Sequence, residues 1–266
     1  LAIFIGIGIS TVYRGAFSHK QRTDLAVFVM GAEMIREGQP LGLYGAETVR
    51  HWHYVYSPLL AVLAAPAAKV PFPALVTVFY LISVLCLLAV FSVSRNFTER
   101  KAGAGWQIAL SAVLCFPVFL NVLTRGQMGI LMLFFQALIF LCYVKGRRVL
   151  AGASLAFAVS LKLSPLAALA FFFLFKKEWR LLAAAGLGVF LFLIALPSAV
   201  IGFENNLELL QTWRGLMSAG SSISAHQSYL WSELFTPFAG DNQSLYAVIT
   251  RFVWPSQEIF IARATN

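Results

Sequence analysis

Charge is what this sequence has least of. Only 12% of its 266 residues are Asp, Glu, Lys or Arg, against about a quarter in an ordinary soluble domain. That shortage, with so much apolar residue around it, excludes a disordered chain and a conventional water-soluble one. Cysteine is scarce as well. Cys86, Cys115 and Cys142 each sit inside an apolar block, without metal-ligand spacing or a disulfide framework. The sequence also lacks a GxGxxG fingerprint, a P-loop, an HExxH motif, an Asp-x-Asp pair and any recognisable internal repeat. What it has instead is apolar residue in long blocks, 59% of the chain, with 24 Phe. The fold class that follows is all-α: a polytopic transmembrane helical bundle, read as one integral membrane domain over 1–266.

The formal charge of +9 could suggest nucleic acid, but its placement argues against it. Nine of the 20 basic residues fall in three short breaks between apolar blocks: Arg95, Arg100 and Lys101; Lys145, Arg147 and Arg148; Lys176, Lys177 and Arg180. Basic residues so placed follow the positive-inside rule. The chain starts with Leu, and its opening apolar stretch, 1–12, is shorter than the about 20 residues a crossing needs. A trimmed N-terminus is therefore expected.

The apolar runs predict membrane helices within about 58–202, at 58–70, 73–94, 106–124, 128–144, 149–161, 163–175 and 181–202. Those at 58–70, 149–161 and 163–175 are short, as in re-entrant or broken helices. Polar segments at 13–57 and 203–246 read as long loops, followed by a mixed tail at 247–266. With the basic breaks in the cytoplasm, 58–94 makes one net crossing, and both loops and the breaks near 124–128 and 162 face outside. Asp24, Arg125-Gly126-Gln127, Lys162 and the segment of His226 and Asn242 then share one membrane face.

Asp24 opens a helix over 24–37, stopped by Gly38 and Pro40. Leu25, Phe28, Val29, Ala32 and Ile35 share one of its faces, so it lies on the membrane surface or packs against the bundle. The Asp24 carboxylate then serves either as an N-cap, a role open to Thr23 too, or as a base aimed into a cleft. Arg125 and Lys162 interrupt apolar runs, where a cation faces a cavity, a partner or the interface. Two cations in one outer cleft suit a phosphate. His51, His53, Tyr54 and Tyr56 read as an interfacial aromatic belt, and His226 stands alone in a Ser-rich segment.

Five fragments in order, "TDLAVFVMGAEMIREGQPLGLY" at 23–44, "YVYSPL" at 54–59, "TRGQMGILML" at 124–133, "LKLSPLA" at 161–167 and "DNQSLYAVITR" at 241–251, resemble glycosyltransferase family 87. The resemblance covers about residues 20–251. It implies a GT-C-like membrane mannosyltransferase that inverts the sugar carbon outside the cytoplasm, in the plasma membrane. The implied donor is polyprenyl-phosphate-mannose, with a glycolipid or glycan acceptor and no cofactor or metal. It also implies that Asp24 is the general base, and that Arg125, Gln127, Lys162 and Asn242, with His226 and Gln243, bind donor phosphate and substrate. Family members carry Asn shortly after Gly-Gln, where this sequence has Met128-Gly129. They are also longer, so this chain is expected to be a fragment.

The residue chemistry runs the same way. A transferase facing away from the nucleotide sugars of the cytoplasm needs a lipid-linked donor. Its acceptor hydroxyl needs a base, and its departing phosphate needs preorganised positive charge. A transporter or flippase of lipid-linked sugars is the alternative, since broken helices around an embedded cation also suit transport.

Overall fold

A computed structural model describes residues 2–17, 23–48, 52–98, 104–163, 166–218 and 245–253. Among these residues no β-strand forms, and an isolated antiparallel bridge pairs Glu47 with His53. The helices are α1 (Ala2–Val12), α2 (Leu25–Arg36), α3 (Pro58–Ala64), α4 (Phe72–Thr98), α5 (Ala104–Arg125), α6 (Gly129–Val144), α7 (Arg148–Leu161), α8 (Ala168–Phe175), α9 (Trp179–Val189), α10 (Leu196–Ile201), α11 (Phe203–Ser218) and α12 (Leu245–Val253). The chain divides into two compact units, residues 1–210 and 211–266.

Among the described residues, three stretches are long and apolar enough to cross a membrane: Phe72–Arg95, Gly105–Arg125 and Trp179–Ile201. The protein is an all-helical membrane protein. Exposed Leu85, Leu88, Val113, Leu114 and Val118 on α4 and α5 are the side chains such helices present to lipid. The segment after Ser57 is only α3 and a 3-10 turn, Ala65–Lys69. Its 12 residues fall well short of the about 20 needed to cross.

Within the first unit, α6 packs on α4 and α7, and α7 packs most extensively on α9. Small residues make that last contact close. A Cβ on Gly152 would come within 2.8 Å of the Ala184 Cβ, and one on Gly188 within 2.6 Å of the Ala156 Cβ. Such small-residue seams let membrane helices gain van der Waals contact where no hydrophobic force drives them together.

The third crossing is not uniform: a π-helical segment, Phe190–Ala195, joins α9 to α10. Pro197 has no N–H to give the Leu193 carbonyl four residues before it. The buried Asn206 amide on α11 supplies the missing donor, to Leu193 O at 3.0 Å and Ile194 O at 3.3 Å. The described start of the 203–246 segment is thus a helix rather than a loop, because Asn206, Leu209 and Trp213 recur at helical spacing and are buried.

Helix α2 packs against α3 and the 3-10 turn. Leu25, Phe28, Ala32 and Ile35 of its apolar face are buried, and burial extends to Ala26, Val27 and Gly31. The second unit's described residues are the end of α11 and α12. On α12 Thr250 is buried, while Val248, Ile249, Phe252 and Val253 are exposed.

Candidate active site

The site is built on the turn that ends α5. Arg125 is the last helical residue, and Gly126 follows in the left-handed region, φ +64°. Gly126 N–H then donates to Leu123 O, and Gln127 N–H to Val122 O at 3.1 Å. This is a glycine-dependent helix stop. Glycine is required here twice over, because a Cβ at 126 would also lie 2.5 Å from Thr23 Oγ1.

Through that gap the start of α2 docks on the turn. Asp24 N–H donates to Arg125 O at 2.8 Å, and the buried Thr23 hydroxyl donates to the same carbonyl at 3.2 Å. Thr23 Oγ1 in turn accepts from Leu25 N–H at 3.3 Å. The Asp24 carboxylate makes no capping bond to the helix. It points instead to Arg125, with Oδ1 4.0 Å from Nε, the two side chains 20% and 34% exposed. Asp24 thus occupies the N-cap position of α2 without its side chain capping the helix.

Tyr56 completes the cluster. Its ring meets Phe28 edge-on, 5.0 Å between centroids, and the Lys162 Nζ lies 5.9 Å from its centroid. Burial raises the Tyr56 phenol above its ordinary range; the Asp24 charge adds to the rise and Arg125 opposes it. The phenol therefore stays protonated at neutral pH. Lys162 follows α7 in extended conformation and is exposed. It is brought to this end by a hydrogen bond from Ser57 Oγ to Ser160 O.

The tyrosines are not an interfacial belt. Tyr54 is 0% exposed, its hydroxyl donating to Ser57 O at 2.9 Å, and Tyr44 donates to Tyr56 O at 3.0 Å. Their rings are needed in the core because α2 approaches so closely that a Cβ at Gly31 would meet Tyr54. His53 pairs with Glu47 at 3.5 Å, while His51 lies outside the described residues.

Four of the side chains that matter here, Asp24, Arg125, Tyr56 and Lys162, come from separate segments. Gln127 is half-buried in the same turn. His226, Asn242 and Gln243 lie outside the described residues. Sequence reading gave Thr23 only as a possible N-cap and took Tyr56 for an interfacial aromatic; Tyr56 lies in the fragment YVYSPL, two residues before the Pro58 that opens α3. Beside Asp24 runs an apolar groove of about 180 Å³, lined by Leu25, Phe28, Leu60, Phe79 and Met128 among others.

The sequence profile of glycosyltransferase family 87 matches residues 54–261, more than three quarters of the chain. The span includes Tyr56, Arg125, Gln127 and Lys162 and begins after Asp24. No curated protein and no solved structure matches the chain. On the profile match, the chain belongs to glycosyltransferase family 87.

Proposed function

We propose that this family 87 membrane glycosyltransferase moves a mannosyl unit from a polyprenyl-phosphate donor to a glycolipid or glycan acceptor on the extracytoplasmic face, with inversion. The observation that carries the reading is the docking of Asp24 on the Arg125 turn. A carboxylate of suitable chemistry for a base and a cation suited to a phosphate stand side by side, contributed by segments about a hundred residues apart.

In this reading Asp24 accepts the proton of the acceptor hydroxyl as that oxygen attacks the sugar carbon from the face opposite the phosphate. The bond to the lipid phosphate breaks, and Arg125 and Lys162 stabilise the negative charge that develops on it. Arg125 has a second task, holding the Asp24 carboxylate in place before the acceptor arrives. Tyr56, protonated and between these groups, can donate a hydrogen bond to phosphate or sugar. With two cations supplying the charge, the chemistry needs no metal. The apolar groove beside Leu25 and Phe28 suits the first isoprene units of a lipid donor. Gln127, and His226, Asn242 and Gln243 farther along the chain, belong to the same proposed substrate set.

The test separates binding from chemistry. Asp24→Asn should keep donor affinity within about threefold and lose transfer by at least about a hundredfold, because base catalysis contributes about 10²–10⁴. Lys162→Ala should weaken donor binding instead. Near-normal turnover in Asp24→Asn, or unchanged donor affinity in Lys162→Ala, removes that residue from its role.

A further inference from the structure

The end of the bundle away from Asp24 carries a second constellation. Helix α6 starts three residues beyond the Gly126 turn and runs 16 residues, about 24 Å at 1.5 Å per residue. It ends in the turn Lys145-Gly146-Arg147, and α8 ends in Lys176-Lys177-Glu178. The two turns have the same backbone. Arg147 N–H donates to Cys142 O and Glu178 N–H to Phe173 O, each five residues back, and the bonds around them correspond one for one. Gly146 holds the left-handed position in the first, φ +73°, and Lys177 holds it in the second, φ +55°.

A salt bridge joins the turns, Arg148 Nε to Glu178 Oε2 at 2.8 Å. The Arg148 guanidinium also stacks 4.0 Å over the Tyr143 ring and donates to the Tyr143 carbonyl. Glu178, the one carboxylate in this stretch, is thus engaged. Lys145, Arg147, Lys176, Lys177 and Arg180 are all exposed, and none has an ion-pair partner among the described residues. Phe175 is 83% exposed and Trp179 62%, on either side of the second turn.

We infer that the two turns form one binding site for anionic phospholipid headgroups, in the leaflet opposite the Asp24 cluster. Charge bias alone explains why basic residues occupy such turns, but not why a lysine takes a strained position that glycine fills in the twin turn. Clustered cations beside exposed aromatic side chains at the end of membrane helices fit a headgroup layer, the rings lying at headgroup level and the ammonium groups meeting phosphate. The inference rests on the membrane-spanning fold and is independent of the transfer reaction.

The experiment uses the full chain in detergent micelles, titrated with dioleoylphosphatidylglycerol or dioleoylphosphatidylcholine, with bound lipid counted by native mass spectrometry and stability followed by melting. The anionic lipid should bind more tightly than the zwitterionic one. Lys177→Gly should weaken that binding about fivefold, the effect of about 1 kcal/mol per cation near anionic lipid. The same variant should melt about 2 °C higher without lipid, as the left-handed strain is relieved. Lys145→Ala should weaken binding similarly, and Lys69→Ala, an exposed cation elsewhere, should leave it unchanged. Equal binding of the two lipids, equal loss from all three variants, or displacement of the lipid by millimolar inorganic phosphate would overturn the inference.

Discussion

At the scale of single residues, α2 begins without using the Asp24 carboxylate as a cap, because the Thr23 hydroxyl and the Arg125 carbonyl take up the backbone groups there. That leaves the carboxylate directed at Arg125, and makes Gly126 its hidden support. Gly126→Ala would force a left-handed alanine, at about 1–2 kcal/mol, and push Thr23 away from the turn. A displacement of about 1 Å can cost about a hundredfold in rate. The variant is therefore expected to insert and fold but to lose transfer by that order, with donor affinity much less affected. Steady-state kinetics beside a donor-binding titration check it, and an unchanged turnover number would mean the turn does not position Asp24. Arg125 and Lys162 were legible in the sequence as polar breaks in apolar runs, and Asp24 as the residue that opens an amphipathic helix. Tyr56 was not, because an aromatic residue near a membrane surface has an ordinary explanation that only packing can remove, while Thr23 was legible only as a helix cap.

At the scale of elements, the described residues between α2 and α3 include three tyrosines, Tyr44, Tyr54 and Tyr56, whose rings pack together. Burial raises the phenols of Tyr44, Tyr54 and Tyr56 above their ordinary value of about 10. In the unfolded chain these groups lose their protons as pH passes about 10, while in the folded protein they keep them. The unfolded state then binds fewer protons, so stability is full below about pH 10 and falls above it. Each tyrosine contributes a slope of up to about 1.4 kcal/mol per pH unit. Tyr54→Phe should flatten that alkaline loss, measured as denaturant midpoints at pH 9 to 11. An unaltered slope would show that Tyr54 ionises freely in the folded protein.

The helix boundaries at 73–94, 106–124, 128–144 and 149–161 were readable within a few residues because uninterrupted apolar runs leave few alternatives. The helix at 203–218 was not, since its buried positions include Asn206, a polar residue serving a carbonyl that Pro197 orphans. Nor were the twin turns. Lys145-Gly146-Arg147 and Lys176-Lys177-Glu178 share a backbone but little sequence, and left-handed geometry at a lysine leaves no trace in composition.

At the scale of the whole molecule, the first unit has two chemically different ends. One gathers Asp24, Arg125, Tyr56 and Lys162; the other gathers the paired basic turns. The lengths of α6 and α7 keep them apart, so a substrate site and a lipid anchor can sit in different leaflets without competing for the same charge. Family membership supplies glycosyl transfer, while the lipid-linked donor, the mannosyl unit and the outer face belong to the proposal built on the site.

The most direct test is transfer of radiolabelled mannose from polyprenyl-phosphate-mannose in membranes containing the protein, wild type beside Asp24→Asn at matched levels. The proposed transfer predicts label moving to a membrane glycolipid or glycan with wild type, and at least about a hundredfold less with Asp24→Asn. Folded wild-type protein that transfers no label from this donor, or an Asp24→Asn variant that matches wild type, would contradict it.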